Sequence, residues 1–113
     1  MSALKRQLSK LPVGVDTDRA PRFAAHGLVV ISSPESAFRI ECELQNVSRT
    51  GLLVTYMGRV ERSLESGEIV QLTIDPVKGI FDLPIMCKAE MARMEKIELE
   101  DGVIWHIGLK FLE

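Results

Sequence analysis

The residues of this 113-residue chain whose types and spacing invite chemistry fall in two short stretches. In the first, Asp18-Arg19-Ala20-Pro21-Arg22-Phe23, two arginines flank a rigid Ala-Pro step. In the second, Asn46-Val47-Ser48-Arg49-Thr50-Gly51, an amide, a hydroxyl and a glycine stand together. Guanidinium forks donate paired hydrogen bonds to phosphate oxygens, or to the O6 and N7 edge of guanine. An Asn side chain and a Ser hydroxyl can pair with a nucleobase edge. A glycine allows close approach, or a backbone angle that other residues avoid. The plainer readings are a charged domain entrance and an ordinary hairpin turn. Asn46-Val47-Ser48 also spells a glycosylation sequon, with nothing that indicates secretion.

Other reactive residues carry less. Cys42 and Cys87 lack a second cysteine or histidine at metal-ligand spacing, so they read as small buried hydrophobes. His26 and His106 have no flanking carboxylate or serine pattern that suggests a triad. There is no nucleophile elbow, no phosphate-cradling Walker loop and no carboxylate pair in an apolar setting. Trp105 falls in phase with Ile107 and Leu109 and reads as core filling, while Glu95 to Asp101 reads as a solvated acidic turn. The expectation is a protein that is not an enzyme and holds no cofactor or metal.

The elements that must position these residues are strands. Phe38, Ile40, Cys42 and Leu44 alternate with Arg39, Glu41, Glu43 and Gln45, the period-two signature of a half-buried strand. Apolar runs at 27–31 and 52–57, and alternating ones at 70–74, 85–92 and 103–111, add five more. Asp101-Gly102 is read as the turn between the last two. Residues 1–18 show one short apolar face, Leu4, Leu8 and Leu11, too short to be stable as an isolated helix. They are read as a mobile basic arm. Six strands joined by short turns, with no helical crossover, predict an all-β antiparallel sandwich or small closed barrel over residues 19–113.

Charge narrows the partners. The chain has 14 Lys and Arg against 16 Asp and Glu, a formal net charge of −2. The positive surplus sits before residue 32, in Lys5, Arg6, Lys10, Arg19 and Arg22, and the body is acidic. An acidic body opposes general DNA binding, whereas a small anion met by a short basic arm is compatible with it. No apolar stretch is long enough to span a membrane, and no signal-peptide pattern opens the chain, so a cytoplasmic location without membrane insertion is expected.

In this order and at this distance, the two stretches resemble the PilZ domain family of bacterial cyclic di-GMP receptors. That family carries RxxxR ahead of its first strand and (D/N)xSxxG after the second. Asn46, Ser48 and Gly51 match the second motif in full. Ser63 to Val70 and the closing Ile107-Gly108-Leu109-Lys110-Phe111 extend the likeness over Arg19 to Glu113. The resemblance implies a six-stranded antiparallel barrel, a site built from Arg22, Asn46, Ser48 and Gly51, and cyclic di-GMP as ligand. It also implies a non-catalytic adaptor that relays the second messenger to a protein partner. One position departs from the pattern. Asp18 stands where the first arginine should be, with Arg19 beside it as a further candidate contact. Losing one charge-assisted hydrogen bond costs roughly 1.5–3 kcal/mol, about ten- to a hundredfold in affinity. The alternative implied by that departure is a degenerate PilZ interaction module that binds no nucleotide.

Overall fold

In a computed structural model, the chain is described over residues 3–9, 11, 22–33, 35, 37–60 and 64–112. The alternating segments all become strands. They are β1 (Phe23–Ala24), β2 (Leu28–Ser32), β3 (Arg39–Val47), β4 (Gly51–Met57), β5 (Ile69–Ile74), β6 (Ile85–Leu99) and β7 (Gly102–Phe111). All pairings are antiparallel, and β3-β2-β5-β6-β7-β4 closes on itself through β3 and β4. The result is the expected six-stranded barrel with one extra short strand. β1 lies against Val47 and Asn46 of β3, and the bonds Ala25 N to Gln45 O and Leu44 N to Gly27 O carry the chain on into β2. Closure removes the free edges that so small a sheet would otherwise expose.

One phase of each strand fills the interior. Val29, Ile31, Leu44, Val47, Leu52, Val54, Val70, Leu72, Ile74, Ala89 and Ile107 are fully shielded, and Cys42 and Cys87 are buried among them without a disulfide. Burial pushes the Cys42 thiol up to about 12.

Two β-bulges interrupt the alternation, between Leu44 and Asn46 in β3 and between Met91 and Arg93 in β6. A bulge sets two residues against one on the neighbouring strand and resets which face the following side chains occupy. Gln45 and Asn46 therefore both face outward and Val47 returns to the core. In the same way Ala92 and Arg93 are both exposed, and Met94 packs against the core.

Two expectations are corrected. Residues 3–9 and 11 are not a free arm. Ala3–Leu8 forms a helix, α1, and Leu4, Leu8 and Leu11 are 2%, 6% and 5% exposed within the core cluster. A helix this short is unstable alone, but packing of its apolar stripe supplies what local propensity cannot. It lies over the barrel end formed by the β3–β4 and β5–β6 loops. There the Gln7 Oε1 accepts from Asp82 N at 3.1 Å, and the Arg49 guanidinium donates to the Leu11 and Ser9 carbonyls at 2.7 and 3.2 Å. The second correction concerns 95–101, which is a ladder rather than a turn. Glu95 to Leu99 pair with His106 to Gly102, leaving only Glu100 and Asp101 in the turn. Trp105 packs partly buried on this extension, with the Lys96 ammonium 6.0 Å from its ring centre. No helix is long and apolar enough to cross a membrane, and no cluster of metal-ligating residues occurs among the described residues.

Candidate functional site

The (D/N)xSxxG stretch spans the end of β3 and the start of β4, at the same end of the barrel as α1. Its serine builds the loop. The Ser48 hydroxyl oxygen accepts from Thr50 N and Gly51 N, both at 3.2 Å, while Ser48 N donates to Gly51 O at 2.8 Å. With Ser48 only 1% exposed, its side chain is committed to the turn and does not line a cleft. Gly51 is required by crowding. Its φ is ordinary, but a Cβ there would stand 2.1 Å from the Leu109 carbonyl oxygen, so only glycine lets β4 approach β7 this closely. The unusual backbone angle offered as the plainer reading of Gly51 is thus replaced by close strand approach.

Asn46, turned outward by the β3 bulge, meets the first stretch directly. Arg22 donates from Nη1 to Asn46 Oδ1 at 2.7 Å, joining residues 24 apart in the chain. This bond braces both side chains, and among the described residues the other guanidinium donors have no hydrogen-bond partner and can face an anion. Of the five candidate residues, Arg22, Asn46, Ser48 and Gly51 come together within this one loop region. Arg19, like Asp18, lies outside the described residues.

An outward-facing cleft of about 700 Å³ opens beside the Arg22–Asn46 pair. Leu53, Gly108 and Ala92 form its apolar floor, Thr50 and Gly51 one wall, and Arg93 and Lys110 further cationic sides. Leu53 and Gly108 of that floor lie in a single register row. Asn46 stands opposite Leu53, Leu53 opposite Gly108, and Gly108 opposite Arg93. The next row runs Gly51, Lys110, Glu90. A flat apolar strip flanked by cations suits a ligand with a planar base and negatively charged groups. Arg93, Lys110, Leu53 and Thr50 were not singled out from the sequence. The available signal was the failure of alternation after Met91, which marks a bulge only if the strand continues through Ala92.

Comparison with known proteins bears on the family and the fold. A family model described as the PilZ domain matches residues 16–113. Among solved structures, the chain is similar to "PilZ domain with c-di-GMP of YcgR from Escherichia coli", with a TM-score of 0.68 at 13% identity, covering 87% of this chain and 79% of that one. It is also similar to K. pneumonia MrkH in its apo state, with a TM-score of 0.66 at 11% identity, covering 89% of this chain and 45% of that one. A third likeness is to the Bacillus subtilis inhibitor of motility MotI/DgrA, with a TM-score of 0.62 at 21% identity, covering 88% and 44%. The chain thus spans less than half the length of the MrkH and MotI chains. A search of curated protein sequences finds no match.

Proposed function

The chain belongs to the PilZ domain family, and we propose that it is a non-catalytic receptor for cyclic di-GMP, held in the outer-wall cleft between Arg22 and Arg93. The observation that carries this reading is the 2.7 Å bond from Arg22 to Asn46, which unites the two motif stretches at the edge of the cleft. Arg22 would face a phosphate or a guanine edge, Asn46 would hold Arg22 and offer its amide, and Leu53 over Gly108 would carry the base. Ser48 would act through the loop it folds. The similar YcgR domain, whose structure contains c-di-GMP, supports the ligand class.

The relay to a protein partner is part of the same proposal. Thr50 and Gly51 line the cleft, while Arg49 in the same loop holds the Ser9 and Leu11 carbonyls just after α1. Cleft occupancy and helix docking therefore share one loop, and residues 1–18, ahead of the barrel at 19–113, form the element through which a partner would sense the ligand. The second reading, an interaction module without nucleotide, is favoured by Asp18 in the place of the first arginine. Isothermal titration with cyclic di-GMP, and with GMP as control, separates the two. Saturable heat with cyclic di-GMP that falls at least tenfold in affinity in Arg22→Ala supports the receptor. An absence of heat at high ligand concentration gives the module.

A further inference from the structure

We propose that Arg93 is the second anion-binding arginine of this site, delivered from β6 by its bulge and standing across the cleft from Arg22. The inference rests on the receptor reading above and names a residue that lies outside both motif stretches.

Three observations support it. First, strict alternation after the buried Met91 would send residue 93 into the core. The bulge instead leaves Ala92 and Arg93 both exposed and opposite a single residue, Gly108. Second, Arg93 faces a glycine. Residue 108 has no side chain to cover it, and a Cβ there would stand in ordinary van der Waals contact with the Arg93 Cβ, at 3.9 Å. Lys110, the other cation on this wall, stands opposite Glu90, a cross-strand neighbour of opposite charge. Among the described residues, no carboxylate lies within ion-pair distance of Arg93. The acids nearest in register are Glu90 before the bulge and Glu95 after it, the latter paired with His106. Third, the register row that ends in Arg93 begins in Asn46, and both ends are turned outward by bulges. Arg22, bonded to Asn46, and Arg93 therefore bracket the apolar strip of Leu53 and Gly108 from opposite sides. A ligand with two phosphates and planar bases can place a base on the strip and a phosphate toward each guanidinium. This supplies a charge-assisted donor in a chain whose motif has Asp18 in place of one arginine.

The test is calorimetric titration of cyclic di-GMP into the wild-type protein, Arg93→Ala and Arg93→Lys, repeated at two salt concentrations, with thermal melts of each. The expected result is a loss of about ten- to a hundredfold in affinity for Arg93→Ala. Partial recovery in Arg93→Lys, a weaker salt dependence in Arg93→Ala and unchanged melts should accompany it, since the side chain is exposed. A wild type that binds while Arg93→Ala binds equally well overturns this inference and leaves the receptor reading standing. A wild type that does not bind at all overturns the receptor reading, and this inference with it.

Discussion

Truncating Leu8 to alanine tests whether α1 is a structural part of the barrel. Leu8 is 6% exposed and packs in the same cluster as Leu4 and Leu11. A buried Leu→Ala change costs roughly 2–5 kcal/mol, the spread reflecting how well the site collapses. For a chain of this length, unfolding entropy converts each kcal/mol into about 4 °C of melting temperature, so the expected loss is about 8–20 °C. Arg49→Ala removes the donors to the Ser9 and Leu11 carbonyls and should cost about 1–3 kcal/mol. Both changes loosen the same helix, so the double variant should lose less than the sum of the singles, a coupling of about 0.5–3 kcal/mol. Leu83→Ala, at a side chain 62% exposed, serves as control and should melt with the wild type. Thermal melts followed by far-UV circular dichroism give all four values. A Leu8→Ala melt within about 2 °C of wild type would refute the reasoning and return residues 3–9 and 11 to the status of a detached arm.

Other expectations concern the loop, the strand contact and the thiol. Ser48→Ala should lower stability by about 1–3 kcal/mol, because Thr50 N and Gly51 N lose their acceptor. An unchanged melt with binding abolished would instead make Ser48 a direct ligand group. Gly51→Ala should cost at least about 3 kcal/mol in denaturant unfolding, since its Cβ would meet the Leu109 backbone at 2.1 Å. A neutral outcome would mean that β4 and β7 separate freely. The Cys42 thiol, raised to about 12 by burial, stays protonated in the folded state while an unfolded thiol ionises near 9. Its contribution is therefore present below pH 9 and lost as the pH rises toward 12. Cys42→Val should show a shallower decline in that window, and equal declines would contradict the assignment.

The alternation of Phe38, Ile40, Cys42 and Leu44, and of Val103 through Phe111, made β3 and β7 legible, and turn chemistry located the strand boundaries between them. What escaped has identifiable physical causes. A bulge is an insertion accommodated by geometry and carries no residue signature of its own. The outward turns of Asn46 and Arg93 therefore became visible only with the register. The docking of α1 depends on a complementary surface at the barrel end, so Leu4, Leu8 and Leu11 looked too few in isolation. Gly51 was legible as necessary but not for the right reason, since close approach between strands depends on pairing partners far away in sequence. The motif residues Arg22 and Asn46 were legible as a pair by order and spacing. Their direct bond, and the cleft beside it, were not, because Leu53, Gly108 and Arg93 come from three different strands.

The central claim is that cyclic di-GMP binds the outer wall between Arg22 and Arg93. Titration of the nucleotide into isotopically labelled protein, followed by backbone amide chemical shifts, tests it most directly. The account predicts saturable shifts concentrated at Asn46 to Leu53, Ala92–Arg93 and Gly108 to Lys110, the loop and strands that line the cleft. Shifts confined to the separate cleft lined by Gly27, Leu28 and Glu41 to Glu43, or none at saturating nucleotide, would contradict it.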